Sequence, residues 1–375
     1  MTFGKENTAA RDMGTAVSIS MKAWESNVRK IVPYVPGEQP NHKHMVKLNT
    51  NENPFPPAPG VDRVLKEINS DSFRLYPDPT VKLLAASLAD YYNLNQEQVF
   101  VGVGSDDVLA VAFMTFFNSE KPILFPDITY SFYPVWCDLF RIPYKNPALD
   151  EKFRIKKEDY LQENGGIVIA NPNAPTSIYE DLSVIEEIIK KNPGTVVIID
   201  EAYIDFAGKS AVELVAKYDN LLVVQTFSKA RSLAGMRIGY AMGQPELIKA
   251  MNDVKYSYNS YTMNQTAIEC GVEAVRDVKY FKEGIQKIID IRKNSEEGLR
   301  KLGFSFPESG ANFLFVTHEK IPAKEIFESL RSNHIYVRYF NLPRINNFLR
   351  ITIGTQEDMD RLLTFLENYI NTYDN

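Results

Sequence analysis

The chain has 375 residues, of which 44% are hydrophobic, 24% charged and 12% aromatic. This is the composition of an ordinary globular protein, long enough for two domains at about 150 residues each, and it excludes disordered, collagen-like and coiled-coil classes. The formal net charge of −6 comes without any block of basic residues, so we expect no nucleic acid partner.

The beginning of the chain and its cysteines indicate a cellular compartment. Residues 1–20 have neither the basic start nor the apolar run of a signal peptide, and we expect them to form a loose leader or arm. The longest apolar run, Val108 to Phe117, is too short to cross a bilayer. Two cysteines, Cys137 and Cys270, are too few for a disulfide framework and fit a reducing compartment. The sequence therefore predicts a cytoplasmic protein that makes no membrane contact.

Nine prolines crowd the segment between Pro33 and Pro79. Proline fixes its own backbone and disfavours helix in the residue before it, so this segment is predicted to be mostly extended or looped. We expect residues 1–47 to form an N-terminal arm that packs on the rest of the protein.

From Leu83 to about Tyr280, helical patterns alternate with short β-rich runs bounded by glycine, proline and asparagine. This alternation predicts an α/β fold with a largely parallel sheet, in a large domain over residues 48–278. Two runs are continuously apolar, as in central strands that helices cover on both faces. The predicted strands are Val99–Val101, Ile123–Phe125, Gly166–Ala170, Thr195–Asp200, Leu221–Thr226 and Met236–Met242, and the two apolar runs are the fourth and the fifth.

After Val278 the pattern changes to a long charged helix, Tyr280–Leu302, and then to short strands with helices between and after them. This part is predicted to be a smaller α+β domain over residues 279–375. Its predicted strands are Phe313–Val316, Tyr336–Tyr339 and Leu349–Ile353.

Polar residues gather directly after the predicted parallel strands, where an open α/β sheet binds its ligands. Asn171 follows one strand, Asp200 ends the next, and Lys229 comes three residues after Thr226, where a third strand ends. A carboxylate and an amine would then converge on one pocket. Taken singly, each feature is better explained by a salt bridge or by ordinary turn residues at a sheet edge.

Together, these motifs resemble those of the pyridoxal-phosphate aminotransferases of fold type I, specifically the histidinol-phosphate aminotransferase branch. The resemblance covers nearly the whole chain and implies a large cofactor-binding domain with a mostly parallel sheet, joined to a smaller α+β domain. It rests on the segments LNTNENP at 48–54, RLYPD at 74–78, GSDD at 104–107 and LRITIG at 349–354, and on the three strand-end segments.

The resemblance implies catalytic roles for the residues at the strand ends. Lys229 would bind the aldehyde of pyridoxal 5′-phosphate covalently and, once substrate displaces it, would move a proton. Asp200 would stay ionised and pair with the cofactor's pyridine nitrogen. Tyr203 and Asn171 match the groups that donate hydrogen bonds to the cofactor's phenolic oxygen.

The resemblance also implies a cup for the cofactor phosphate at the start of the helix that follows the first predicted strand. Ser105 and Asp106 stand at that helix N-terminus, whose free N–H groups and dipole favour phosphate. Ser228 and Arg237 match the family's hydroxyl and guanidinium anchors. Tyr130 matches the aromatic residue that stacks on the pyridine ring, although by itself it would indicate core packing.

Further matches concern the substrate and the assembly. Tyr76 resembles the tyrosine that reaches the cofactor phosphate of a neighbouring subunit, which implies a homodimer with shared active sites. Arg350 matches the arginine that binds the anionic end of the substrate, and Asn51 is a further candidate substrate contact. Arg338 is either a second anion contact or an outward-facing strand residue.

One loop departs from the family pattern. Where the family reads Asn-Pro-Asn-Asn-Pro-Thr-Gly, this chain has Ala174 and Ser177 in place of the last asparagine and the glycine. Asn171 is kept, so the loop shape is expected to change while the cofactor contact stays. The four histidines have no metal-binding spacing, and we expect no metal.

The resemblance implies a ping-pong transfer of an amino group between glutamate and imidazole acetol phosphate, in histidine biosynthesis. A pocket with arginines suits both molecules, because glutamate carries carboxylates and imidazole acetol phosphate carries a phosphate. A threonine-phosphate decarboxylase and an aromatic or branched-chain amino acid aminotransferase remain as alternatives. A cofactor-binding regulator is disfavoured, since the sequence shows no helix-turn-helix segment or basic arm.

Overall fold

The computed structural model describes residues 22–373, which divide into two compact units, one ending at Pro33 and one beginning at Tyr34. The described part of the first unit holds one 3₁₀ turn, Ala23–Asn27, where the backbone N–H of Lys22 donates to Glu25 at 3.0 Å. The leader predicted over residues 1–20 lies outside the described residues. In the described range, 22–373, no helix combines the length and the apolar character that a bilayer crossing requires.

The second unit contains all the strands and α-helices of the described chain. The strands are β1 Val46–Lys47, β2 Val99–Gly102, β3 Ile123–Leu124, β4 Tyr144–Lys145, β5 Gly166–Ala170, β6 Val197–Asp200, β7 Leu221–Thr226, β8 Gly239–Gly243, β9 Phe304–Ser305, β10 Phe313–His318, β11 Ile335–Tyr336, β12 Arg338–Tyr339 and β13 Leu349–Thr352. The helices are α1 Pro59–Glu67, α2 Lys82–Tyr92, α3 Gly104–Phe116, α4 Phe132–Phe140, α5 Leu182–Lys191, α6 Pro245–Tyr258, α7 Gln265–Arg276, α8 Val278–Lys301, α9 Ala323–Ser332 and α10 Gln356–Tyr373.

Seven strands form the main sheet, in the order β2-β8-β7-β6-β5-β3-β4. The strands from β7 to β4 are parallel to one another, and only β8 runs against its two neighbours. The predicted fold class, an α/β fold with a mostly parallel sheet, is confirmed. The two continuously apolar runs are its central strands, β6 and β7, as their composition predicts.

Both faces of the main sheet are buried, because alternate residues of each strand enter different hydrophobic clusters. In β6, Val197 and Ile199 belong to one cluster and Ile198 to the other. Each fully buried isoleucine or valine stabilises the fold by about 1.5–3 kcal/mol. The sheet is therefore a rigid platform whose strand ends can hold side chains in fixed positions.

The predicted strand Met236–Met242 begins three residues late, at Gly239. Arg237 has a left-handed backbone with φ of 53°, which an extended strand cannot contain. The chain thus turns at Arg237 before it enters β8.

Four antiparallel strands form a second sheet, in the order β12-β13-β10-β9. The predicted strand Tyr336–Tyr339 is split in two at Val337, because β11 pairs with β1 while β12 pairs with β13. Val46 lies opposite Ile335 in that parallel pair, so residues 46 and 47 contact the C-terminal part of the chain. The domain boundaries at 47/48 and 278/279 stay a proposal.

Three strands of two residues each, β1, β4 and β9, escaped the sequence prediction, because two residues show no alternation. The proline-rich segment 33–79 is extended or looped over most of its length, but it also contains α1. That helix starts with Pro59, where the missing N–H of proline costs nothing.

Candidate active site

A cavity of about 260 Å³ opens at the carboxyl ends of β5, β6 and β7. These strands are parallel neighbours, with Ala170 opposite Asp200 and Asp200 opposite Val224, so their ends meet at one edge of the sheet. The wall contains eleven of the residues predicted from sequence, namely Asn51, Ser105, Asp106, Tyr130, Asp200, Tyr203, Ser228, Lys229, Arg237, Arg338 and Arg350.

Lys229 lies on a tight turn that follows β7. The turn is closed by the N–H of Ser228, which donates to the Thr226 hydroxyl at 3.1 Å. The amine of Lys229 donates to the carbonyl of Thr50 at 3.3 Å and lies 5.7 Å from the centre of the Tyr203 ring. The structure thus places a primary amine in the cavity beside a phenol.

Asp200 is the acid of the cavity, and it is only 4% exposed. Burial raises its pKa to about 6, although hydrogen bonds from the Tyr133 hydroxyl at 2.7 Å and the Ala202 N–H at 3.2 Å oppose this rise. An ionised carboxylate in such a place is favourable only with a cation next to it. Asp200 is therefore arranged to pair with a cationic group of a ligand.

Tyr203 lines the cavity and is 9% exposed. Its hydroxyl accepts a hydrogen bond from the side-chain amide of Asn51 at 2.9 Å, and its ring meets Phe313 edge-on at 5.0 Å. The amide oxygen of Asn51 accepts from the Thr352 hydroxyl at 3.0 Å. A substrate contact by Asn51 stays a prediction, and both amide atoms already have partners within the protein.

Helix α3 begins at the cavity, directly after β2. Gly104, its first residue, has a φ of +83°, and a side chain there would lie within 2.5 Å of the Arg237 guanidinium. A side chain on Gly239 would lie 2.3 Å from the backbone of Gly104 and Ser105. Two glycines therefore allow the start of α3, β8 and Arg237 to come together around the first N–H groups of the helix, where an anion is favoured.

Asp106 faces two partners in this corner. The Tyr130 hydroxyl donates to one of its carboxylate oxygens at 2.8 Å, and Arg237 donates to the other at 3.3 Å. Burial, and then the Asp106 charge, raise the pKa of Tyr130 well above its ordinary value. Arg237 also donates to the Ser228 hydroxyl at 3.5 Å, so its guanidinium bridges Asp106 and Ser228.

Arg338 and Arg350 lie directly opposite each other on β12 and β13 and share the cavity wall. Like charges in opposite positions destabilise a sheet unless an anion lies between them. Arg350 donates to the carbonyl of Asn49 at 2.9 Å, but its buried Nε has no hydrogen-bond partner. Burial, with the nearby Arg338 charge, lowers the pKa of Arg350 below its usual range. This corner is a second site for an anionic group.

Two predicted site residues are not in the cavity wall. Asn171 turns away, because its amide donates to the Glu180 carbonyl at 3.0 Å and accepts from the Glu180 N–H at 2.8 Å. The residues of its loop that line the cavity are Pro172, Ala174 and Pro175, and none of them has a hydrogen-bonding side chain. The predicted contact of Asn171 with the cofactor stays a prediction. Tyr76 is 81% exposed and lies 4.7 Å from the Tyr261 ring.

Sequence reasoning missed several residues of the wall. Tyr34 lines it and stacks on Phe132 at 4.2 Å, but nothing in the proline-rich segment marks it. Glu52 also lines the wall, and it lies within the LNTNENP segment at 48–54. Burial favours a higher pKa for Glu52, but hydrogen bonds from Lys47 and Thr50 and the charges of Lys47 and Lys229 keep its pKa below the ordinary value. Tyr133 is not in the wall, but its hydroxyl donates to Asp200 at 2.7 Å. Its signal was its place in the aromatic segment that contains Tyr130, three positions earlier.

The cavity therefore offers five chemical features in fixed relation. They are a primary amine, a buried acid that needs a cation, a phenol, an anion site at a helix start and a second anion site between two arginines. Pyridoxal 5′-phosphate has an aldehyde, a protonatable ring nitrogen, a phenolic oxygen and a phosphate, so the residues present fit this group. Among residues 22–373, no group of three or more His, Cys, Asp or Glu side chains could hold a metal ion.

Comparison with known proteins agrees with this geometry. Residues 43–366 match the family model described as aminotransferase class I and II. The chain is 49% identical to the histidinol-phosphate aminotransferase of Clostridium botulinum (strain Okra / Type B1), over 93% of this chain and 99% of that one. It is also 49% identical to the enzyme of that name from Lactococcus lactis subsp. cremoris (strain MG1363), over 93% and 98%.

Among solved structures, the chain is similar to the histidinol-phosphate aminotransferase of Sinorhizobium meliloti in complex with pyridoxal-5′-phosphate. The TM-score is 0.80 at 24% identity, over 87% of this chain and 91% of that one. At this identity the likeness concerns the fold alone.

Proposed function

The chain belongs to the class I and II aminotransferases, and from that premise we propose that it converts histidinol phosphate and 2-oxoglutarate to imidazole acetol phosphate and glutamate. The enzyme depends on pyridoxal 5′-phosphate and acts in histidine biosynthesis. Relatives named for this activity are 49% identical over 93% of the chain. The observation that carries the proposal is the presence of two anion sites in the one cavity that Lys229 lines.

The cofactor, when bound, supplies an aldehyde that takes up amino groups and a ring that accepts electron density. Lys229 holds the aldehyde end and, once freed, moves a proton at the α-carbon of the substrate. Asp200 pairs with the ring nitrogen, and Tyr203 donates a hydrogen bond to the phenolic oxygen. Tyr130 packs against the ring. Each of these side chains lines the cavity.

The first anion site holds the cofactor phosphate. Ser105 and the start of α3 supply N–H groups, while Ser228 and Arg237 supply a hydroxyl and a guanidinium. Asp106 orients Arg237 through their contact at 3.3 Å and contributes its backbone N–H. The positive guanidinium offsets the repulsion between the Asp106 carboxylate and the phosphate.

The second anion site binds the substrates in turn. Arg350 and Arg338 face each other across β12 and β13, and a carboxylate of glutamate or a terminal phosphate can lie between them. A threonine-phosphate decarboxylase would also bind a phosphate, so anion binding alone does not separate the two functions. The identity to the curated relatives favours the aminotransferase.

We propose that the enzyme is a homodimer in which Tyr76 completes the active site of the neighbouring subunit. Tyr76 lies within an exposed apolar surface that a second copy would cover, and it is too exposed to serve its own cavity. The Tyr261 ring lies 4.7 Å from the Tyr76 ring, and further exposed apolar side chains are those of Phe73, Leu75 and Tyr258. Burial of such apolar area is the usual source of stable association.

The cytoplasm is the proposed location. Both cysteines, Cys137 and Cys270, are buried free thiols, which fits a reducing compartment. We further propose that residues 48–278 form the large cofactor-binding domain and residues 279–375 the small domain.

An amino-transfer assay tests the function. Purified protein is supplied with pyridoxal 5′-phosphate and 2-oxoglutarate, and consumption of histidinol phosphate is compared with that of threonine phosphate, phenylalanine and leucine. We expect a strong preference for histidinol phosphate. Release of carbon dioxide from threonine phosphate without any amino acceptor would support the decarboxylase instead, and a preference for phenylalanine or leucine would support the other alternative.

A further inference from the structure

We propose that Asn51 and Thr352 are positioning residues that fix the direction of the Tyr203 hydroxyl proton. Both residues are buried, at 1% and 2% exposure, and they lie on opposite sides of the contact between segment 49–52 and strand β13. The inference rests on the proposed function, because the proton direction matters only when the cavity holds the cofactor.

The hydrogen bonds in this cluster have one consistent direction. The backbone N–H of Asn51 can only donate, and it donates to the Thr352 hydroxyl oxygen at 3.0 Å. The hydroxyl proton of Thr352 is then directed to the side-chain oxygen of Asn51, also at 3.0 Å. This bond leaves the amide nitrogen of Asn51 facing Tyr203, to which it donates at 2.9 Å.

The consequence concerns the phenol. Because its oxygen accepts from Asn51, the Tyr203 hydroxyl keeps its own proton free to donate into the cavity. A hydroxyl whose oxygen already accepts a hydrogen bond is also a stronger donor. The loop that follows β5 offers no second donor from its cavity-lining side chains, which are Pro172, Ala174 and Pro175. The hydrogen bond to the phenolic oxygen of the bound cofactor therefore depends on the hydroxyl of Tyr203.

The backbone around Asn51 is shaped for this task. Asn51 has a φ of 57°, a left-handed conformation that asparagine tolerates better than most residues, and its carbonyl accepts from Asn312 at 3.1 Å. Thr352 lies two residues after Arg350 on β13, so the two side chains share one face of the strand. Strand β13 therefore carries both Arg350, the proposed contact for the substrate anion, and Thr352, from which the series of hydrogen bonds leads to Tyr203.

The expected effect is on a proton equilibrium of the bound cofactor. A donor to its phenolic oxygen withdraws negative charge, which lowers the pKa of the nitrogen that joins Lys229 to the cofactor. Weaker donation by Tyr203 leaves more charge on that oxygen and raises this pKa. The pH midpoint of the visible absorbance change of the loaded enzyme reports this pKa without any turnover.

The test uses the substitution Thr352→Val, which keeps the shape of the side chain but removes its hydroxyl. We expect the absorbance midpoint to move upward by about one pH unit. Thr352→Ser, which keeps the hydroxyl, should restore the wild-type midpoint. Thermal unfolding of the three loaded proteins controls for damage to the fold.

A double-variant cycle separates this role from a structural one. In Tyr203→Phe the midpoint should rise further, and adding Thr352→Val to that variant should change nothing more, because the phenol proton is gone. An equal shift by Thr352→Val with and without the Tyr203 hydroxyl would overturn the proposal, as would an unmoved midpoint in Thr352→Val alone. If wild-type protein gives no visible absorbance with pyridoxal 5′-phosphate, the proposed function itself has failed.

Discussion

A buried carboxylate is unfavourable unless a cation compensates it, and Asp200 shows this cost in the protein without cofactor. Its pKa is raised to about 6, so the folded state binds this proton more tightly than the unfolded chain does. The contribution of Asp200 to the free energy of unfolding therefore falls as the pH rises from the ordinary pKa of aspartate to about 6, the pKa of Asp200 in the folded protein.

The first prediction follows from that sign. For cofactor-free protein, we expect the free energy of unfolding to fall between pH 5 and pH 7 by roughly 1 kcal/mol more in wild type than in Asp200→Asn. Burial also raises the pKa values of Glu201 and Asp205, to about 7 and about 6. Their effect on the pH dependence of unfolding is the same in both proteins, so it cancels in the difference. Urea denaturation at the two pH values measures the difference, and equal pH dependence in both proteins would contradict the assignment.

The second prediction concerns the amine. Lys229→Ala should lower kcat by about 1,000-fold or more, because covalent attachment and proton movement both depend on this group. Its amine makes one hydrogen bond, to the Thr50 carbonyl at 3.3 Å, so thermal stability should change little. Steady-state kinetics and a melting curve check both statements. A variant that keeps wild-type turnover would rule out Lys229 as the attachment site.

At the scale of secondary structure, the phosphate site depends on close contact between β8 and the start of α3. A side chain at Gly239 would lie 2.3 Å from backbone atoms of Gly104 and Ser105, and backbone cannot move aside easily. The two elements would have to separate, which would move the N–H groups of the helix away from Arg237 and Ser228.

The third prediction uses that contact. Gly239→Ala should weaken binding of pyridoxal 5′-phosphate by about 10-fold or more. The reason is that moving the start of α3 would break at least one hydrogen bond to the cofactor phosphate, and the loss of one charge-assisted hydrogen bond accounts for this change in affinity. Gly194→Ala is the matched control, because a side chain there meets nothing within 4 Å. Equilibrium dialysis of the cofactor measures both affinities. Equal affinities in the two variants would show that the cofactor phosphate does not bind at this contact.

At the scale of the whole molecule, Tyr76 is the residue on which the proposed shared active sites depend. It is 81% exposed and, with its neighbour Tyr261, forms part of an apolar surface away from its own cavity. A homodimer would bury this surface and bring Tyr76 to the partner's phosphate site, whereas in a monomer it would have no role in catalysis.

The fourth prediction distinguishes these cases by mixing two inactive variants. Tyr76→Ala should lose cofactor affinity and Lys229→Ala should lose turnover, each in both sites of its own dimer. In a mixed dimer, one site regains both groups, so an equal mixture should recover about a quarter of wild-type activity. Differently tagged subunits verify that exchange took place. Exchange without recovery would contradict shared active sites.

Much of this protein was determined by sequence alone, because the signals are local. The apolar runs of β6 and β7 mark central strands, since a strand buried on both faces has to be apolar throughout. Asp200 and Lys229 follow from the same logic, as residues at the ends of parallel strands that meet at one edge. The family motifs then indicated the cofactor and the reaction.

Other features were decided only by the tertiary structure. Asn171 and Ala174 lie in one loop, yet the asparagine amide bonds to the Glu180 backbone while the alanine lines the cavity. The contacts of Tyr133 with Asp200 and of Asn51 with Thr352 join positions 67 and 301 residues apart. The direction of a side chain depends on its rotamer and on packing against such distant elements, and no local pattern in the sequence encodes it.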